Sequence, residues 1–143
     1  MRSLFDTSVL VTALVDQMPS HEAAFDALRR HGGGDHWGCC STHALAECYA
    51  TLTALPLPSR VLPEQARMLV EESIAACVEV IELGLDDYRL VFKHVAQLGL
   101  ASGAVYDALH ARCAQKAEVD QILTYNLTDF ERFQLEDIRV TAP

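Results

Sequence analysis

Apolar residues along this chain fall into two rhythms, short runs and longer stretches that repeat every three or four positions, and the two alternate from end to end. Ser3 to Phe5 is a short, mostly apolar run ending in Asp6-Thr7-Ser8, where small hydroxyl residues break a strand and cap a helix through Asp16. Ser20 is placed to cap a second helix with Ala24, Phe25 and Leu28 at helical spacing, and Gly32-Gly33-Gly34 ends it. A second strand is expected over 36–40. Ser41 or Thr42 then opens a helix with Leu45, Cys48, Tyr49 and Leu52 on one stripe, stopped by Pro56 and Pro58. Pro63 suits the first turn of a helix running to about Cys77. Val78 to Leu83 interleaves apolar residues with Glu79 and Glu82, the pattern of a strand near a sheet edge. Asp86 or Asp87 starts the next helix, which ends near Gly99, and Ser102 caps one carrying Val105, Leu109 and Cys113. Gln121 to Thr124 reads as a fourth strand, a helical turn begins near Thr128, and Ile138 to Thr141 reads as a fifth strand. This alternation predicts an α/β fold: a parallel sheet of about five short strands with helices on both faces.

Composition narrows the picture. A 143-residue chain that is 50% hydrophobic and 22% charged fits one compact domain, expected over residues 1–143, with a core large enough to stabilise it. No run approaches the roughly 20 apolar residues of a membrane span, and a cytoplasmic protein is expected. Five cysteines without a CxxC spacing suggest neither a disulfide framework nor a zinc ribbon; Cys48, Cys77 and Cys113 read as small core residues. A net charge of −9 argues against gripping nucleic acid by charge alone, unless bound divalent cations reverse the sign of an acidic pocket or a local basic rim holds the backbone.

In an open α/β sheet, ligands collect outside the carboxyl ends of the strands. Asp6 falls at such an end, and Asn126 lies just beyond the fourth strand. Glu47 lies off its helix's apolar stripe and shares a face with His43, Ala50 and Thr51; Asp107 is flanked by the small residues Ala104, Ala108 and Ala111. Taken singly, Asp6 reads equally well as a helix cap, and Glu47 and Asp107 as solvated helix positions. Their setting changes that reading. Glu47 is the only charged residue between Cys39 and Pro58, and Asp107 the only one between Leu98 and Ala111. A lone carboxylate in uncharged surroundings needs a partner, and a metal ion neutralises several at once.

These residues resemble a known family. Asp6-Thr7-Ser8-Val9-Leu10 resembles the opening motif of PIN domains, and Ala46-Glu47-Cys48-Tyr49 looks like the segment carrying their second acid. Tyr106-Asp107-Ala108-Leu109-His110-Ala111 resembles the segment of the third acid and is the most specific match; Thr124-Tyr125-Asn126 with Asp129-Phe130 resembles the closing motif. The likeness covers nearly the whole chain and is strongest to the VapC toxins of bacterial toxin-antitoxin pairs. It implies a three-layer α/β/α PIN-like domain and a Mg²⁺- or Mn²⁺-dependent endoribonuclease that hydrolyses RNA phosphodiester bonds with a metal-activated water. By that resemblance Asp6 and Asp107 anchor the principal ion, while Glu47 and Asn126 complete the pocket. Ser8 and Thr124 support it through their hydroxyls. The sequence departs from the family at Asn126, where a fourth acid is usual; an amide oxygen can coordinate but brings no charge, and Asp129 is the alternative for that position. The resemblance also implies a homodimer and a VapB-like antitoxin whose segment fills the acidic cleft.

Arg112 and Lys116, farther along the helix that carries Asp107, are candidates for an RNA rim, as are Arg89 and Lys93. Two other readings compete. One is a PIN-like interaction module without activity, given the altered fourth acid. The other is a His/carboxylate transition-metal protein, because His43 and Glu47 are spaced i, i+4 and Asp107 and His110 i, i+3; frequent strands speak against the helix bundle it needs. An aspartyl-phosphate phosphatase wants an acid where Ser8 stands, a receiver domain wants acids beside Asp6, and no GxGxxG marks a dinucleotide site.

Overall fold

Five strands, β1 (Arg2–Phe5), β2 (Trp37–Ser41), β3 (Glu79–Ile81), β4 (Gln121–Leu123) and β5 (Arg139–Thr141), form one wholly parallel sheet in the computed structural model, which describes residues 1–32 and 36–143. Their order is β3-β2-β1-β4-β5, so β3 and β5 are the edges and the chain reverses its direction of travel across the sheet between β1 and β4. Registers such as Leu4 opposite both Cys39 and Ile122 align the carboxyl ends of the three central strands.

Side chains on a strand alternate faces, and here each face has its own core. Phe5, Cys40 and Leu123 point into one cluster with α1 (Thr7–Leu14), α2 (His21–Gly32) and α3 (Thr42–Ala54). Leu4, Cys39 and Ile122 point into the other, with α6 (Leu85–Gln97), α7 (Ala104–Lys116) and α8 (Leu127–Glu131). The three-layer α/β/α architecture follows. Between α3 and β3 the helical run is α4 (Pro63–Met68), a π-helical stretch (Leu69–Ile74) and α5 (Ala75–Cys77); Val70 and Ile74 of the widened middle are buried. All five cysteines are free thiols, four of them buried. No helix among the described residues is long and apolar enough to cross a membrane.

Several boundaries differ from the expected ones. α1 ends at Leu14 rather than Asp16, because the chain turns extended at Val15 and buries that side chain. Tyr49 and Phe25 are exposed: the inner stripes are Ala44, Cys48, Leu52 and Ala24, Ala27, Leu28, and each aromatic sits one residue, about 100°, off its stripe. Two of the serines expected as caps, Ser20 and Ser102, take left-handed φ values of 66° and 55°, and Gly103 occupies the cap of α7. The expected stop at Gly33 and Gly34 lies outside the described residues.

Helix α6 starts one residue before the predicted Asp86, at Leu85, because Asp87 reaches back from the first turn to accept the Gly84 N–H at 3.0 Å. The same carboxylate accepts from Lys116 Nζ (2.8 Å) and Arg112 Nε (2.9 Å), tying α6 to α7. The Lys116 bond first, then the Gly84 and Arg112 bonds, hold its pKa down at about 2. A depressed carboxylate stabilises the fold above the ordinary value of 3.8 and loses that contribution as pH falls toward about 2. Asp87→Asn is therefore expected to cost roughly 1 kcal/mol near neutrality, with the gap to the parent closing below pH 3 in urea titrations.

Gly38 sits at a close approach within the sheet. A Cβ there would stand 2.9 Å from His31 Cβ, 3.0 Å from Phe5 Cε2 and 3.1 Å from Val78 Cγ1. Two of these neighbours are locked in the core, so Gly38→Ala is expected to destabilise by about 1–3 kcal/mol, read as a lower unfolding midpoint at an unchanged denaturant slope.

Candidate active site

The reversal of strand order between β1 and β4 opens a crevice at their carboxyl ends, and the chain places Asp6 on one side of it and Thr124 on the other. Asp6 N donates to Leu123 O at 3.0 Å, so the two strand ends are knitted together where the site begins. Asp6 occupies the N-cap position of α1, yet its side chain makes no cap bond. Its carboxylate, 2% exposed, instead accepts two hydroxyl protons on Oδ2, from Ser8 at 2.7 Å and Thr124 at 2.8 Å. Each hydroxyl in turn accepts a backbone N–H, Ser8 from Tyr125 (3.1 Å) and Thr124 from Asn126 (2.9 Å). Both protons are thereby directed at Asp6. Ser8 and Thr124 fix the carboxylate's rotation, which leaves Oδ1 3.6 Å from His110 Nε2.

Helix α3 starts sharply because Ser41, the last residue of β2, caps it by accepting Ala44 N–H at 3.0 Å. That start sets the phase that carries Glu47 into the same crevice. Its Oε1 lies 2.8 Å from His110 Nε2, 3.3 Å from Thr7 Oγ1 and 3.6 Å from His43 Nε2. Burial pushes this carboxyl up, but the His110 and His43 contacts outweigh it and hold the pKa at about 2. Glu47 is an anion at any physiological pH.

Asp107, in the first turn of α7, is the opposite case. Burial and the charges of Asp6 and Asp129 raise its pKa to about 6, against the pull of His110 and of Arg132, whose guanidinium lies 3.4 Å from Asp107 Oδ2. His110, one turn later and 1% exposed, is depressed by burial and raised by the Glu47 bond and the charges of Asp6, Glu47 and Asp107; the anions prevail and its pKa is raised. The cleft thus carries more negative charge than its own cations cancel.

Asp6, Glu47, Asp107 and Asn126 line one cleft of about 540 Å³, with Val11, Met18 and Leu55 along its apolar wall. Among the described residues, no three His, Cys, Asp or Glu side chains already stand at ligand spacing around one point. The acids face a common space without enclosing it. Asn126 is exposed at the N-cap of α8, and Asp129 stands back, paired with Arg132 at 3.4 Å and outside the cleft lining. Arg112 and Lys116 are also outside it, committed to Asp87.

Four contributors were not singled out for these roles from sequence. Thr7 and His110 hold Glu47, Ser41 lies against the far nitrogen of His110, and Arg132 supplies a guanidinium beside Asp107. The i, i+3 spacing of Asp107 and His110 suggested a shared ligand pair, but His110 turns toward Glu47 on another helix. The signal for Arg132 was its own i, i+3 spacing from Asp129.

The arrangement of an all-parallel sheet, a switch-point crevice and dispersed acids defines a class, and comparison with known proteins gives it a family. A family model described as PIN domain matches residues 3–134, and the chain belongs to the PIN-domain family. Within that family it sits with the VapC-type ribonucleases. Ribonuclease VapC40 of Mycobacterium tuberculosis (strain CDC 1551 / Oshkosh) is 37% identical over 131 residues, 90% of each chain. Ribonuclease VapC27 of Mycobacterium tuberculosis (strain ATCC 25618 / H37Rv) is 38% identical over 109 residues, covering 76% of this chain and 74% of its own. Among solved structures, Mycobacterium tuberculosis VapC20, described as a Sarcin-Ricin loop cleaving toxin, superposes with a TM-score of 0.71 at 16% identity over 90% of this chain and 92% of its own. VapBC2 from Rickettsia felis, bound to a DNA fragment from its promoter, gives 0.68 at 18% identity over 100% and 99%. These two share the fold.

Proposed function

We propose that this chain is a divalent-cation-dependent endoribonuclease, the toxin of a VapBC-type pair, and that Asp6, Glu47 and Asp107 hold Mg²⁺ or Mn²⁺ in the cleft. The observation that carries the reading is the uncompensated charge around Asp107, whose carboxyl is lifted to about 6 by burial and by Asp6 and Asp129. A cation relieves that charge. The donors facing the cleft are carboxylate and amide oxygens, the hard set that suits Mg²⁺ or Mn²⁺. When bound, the ion supplies a water of lowered pKa and neutralises phosphate charge.

The chain's own residues do the rest. Ser8 and Thr124 hold Oδ2 of Asp6, which leaves Oδ1 as its oxygen for the ion. Asp107 presents its carboxylate from the opposite wall, and Arg132 beside it balances part of the charge before substrate arrives. Asn126 brings an amide oxygen in place of a fourth charge, which lowers the repulsion a polyanionic RNA meets. Glu47, kept ionised by its contacts with His110 and His43, adds a third carboxylate to the set that faces the ion.

An acidic floor beside an apolar wall of Val11, Met18 and Leu55 also suits an antitoxin segment carrying arginine next to apolar side chains. Family membership further supports a homodimer, and the exposed Tyr49, Leu62 and Met68 supply apolar surface for it. Free cysteines agree with a cytoplasmic setting. The test is a cleavage assay on purified protein with Mn²⁺, with EDTA, and with Asp6→Ala. Cleavage only in the first supports the reading; equal cleavage in all three contradicts it.

A further inference from the structure

Resting on that reading of the cleft, we infer that His110 is a positioning residue that holds Glu47 so that a single oxygen, Oε2, faces the cation. His110 is 1% exposed and sits behind the acids, so it has no access to substrate. Its Nε2 lies 2.8 Å from Glu47 Oε1 and its Nδ1 3.4 Å from Ser41 Oγ. A carboxylate only accepts hydrogen bonds, so Nε2 carries a proton toward Glu47 whether the ring is neutral or charged. Ser41 is itself anchored by Ala44 N–H at the cap of the helix that carries Glu47. The imidazole therefore bridges the start of α3 to a side chain in the middle of α3, from a third element, α7.

Among the described residues, every polar contact of Glu47 falls on the same oxygen. Thr7 Oγ1 approaches Oε1 at 3.3 Å, His43 Nε2 at 3.6 Å and His110 Nε2 at 2.8 Å. With Oε1 engaged by these donors, Oε2 is the oxygen left free for an ion, and the side chain is oriented before one arrives. A free glutamate loses rotamer freedom on being ordered, and this bond takes that loss out of the cost of cation binding. Groups that orient a ligand from behind commonly change metal affinity by 10–100-fold when lost.

The test compares Mn²⁺ affinity, by electron paramagnetic resonance and calorimetry, with thermal unfolding for the wild type, His110→Leu, His110→Gln and His110→Asn. Glutamine places an amide N–H where Nε2 lies, whereas asparagine places it near Nδ1, toward Ser41. The expected result is Mn²⁺ binding weakened about 10–100-fold in His110→Leu and His110→Asn, with His110→Gln within about threefold of wild type. A folded His110→Leu with wild-type Mn²⁺ affinity overturns the inference, as does a folded His110→Gln that binds as weakly as His110→Asn. If the leucine variant does not fold, the glutamine and asparagine variants decide alone, and equal affinities overturn the inference. A wild type that binds no Mn²⁺ removes the underlying nuclease reading as well, whereas wild-type binding matched by all variants removes this inference only.

Discussion

Asp107→Asn is expected to fold more stably than the wild type in the absence of divalent cations and to lose RNA cleavage by about a thousandfold or more. The two effects share one cause. A carboxyl whose folded pKa is raised, here from 3.8 to about 6, imposes no penalty below 3.8, an increasing one between the two values, and its full penalty above 6. The difference between 3.8 and about 6 corresponds to about 3 kcal/mol, which solvent screening at the partly exposed side chain reduces to roughly 1–2 kcal/mol. In EDTA at pH 7.5 the variant should therefore melt about 3–6 °C higher. At pH 4 the two proteins should converge. An asparagine cannot replace the missing charge toward the cation, so cleavage falls while the fold improves. A variant that melts lower than wild type at pH 7.5 in EDTA contradicts the charge argument.

The second large effect is that of the cation itself. Chelation is expected to abolish cleavage and lower the melting temperature; Mn²⁺ or Mg²⁺ restores both, and Zn²⁺ does not restore cleavage. Binding to the folded state alone adds about 2.7 kcal/mol when the free ion is a hundredfold above its dissociation constant, several degrees for a chain of this length. The gain should vanish in Asp107→Asn and shrink in Asp6→Ala. If instead every variant gains as much as wild type, the ion stabilises the protein from another site.

The fold was largely legible because two periodicities that sequence exposes directly, two for strands and 3.6 for helices, set it. Even the edge position of β3 showed in the interleaved Glu79 and Glu82. Helix starts were less legible. Asp86 and Asp87 both look like caps, but only the built chain shows Asp87 reaching back to Gly84 from inside the helix. Ser102 lost the cap to Gly103 because the chain needed a left-handed turn there.

The candidate acids stood out for a physical reason, a lone charge in a small-residue segment, and the structure brings Asp6, Glu47, Asp107 and Asn126 to one cleft. What sequence could not reveal was who holds them. Spacing along a helix identifies neighbours on that helix, so His110 was matched with Asp107, three residues away. Its partner Glu47 is 63 positions distant and is chosen by how α7 lies across α3. The same limit hid the pairing of Arg112 and Lys116 with Asp87, which depends on α6 packing beside α7. Asp129 fell outside the cleft lining because α8 turns it toward Arg132.

The central claim is that Asp6, Glu47 and Asp107 share a hard cation at the strand switch point. Anomalous scattering from crystals soaked in Mn²⁺ tests it most directly. The predicted result is a peak in the cleft at about 2.0–2.3 Å from carboxylate oxygens of Asp6 and Asp107, with Glu47 reached directly or through one water. A peak elsewhere on the protein, with none between those carboxylates, contradicts it.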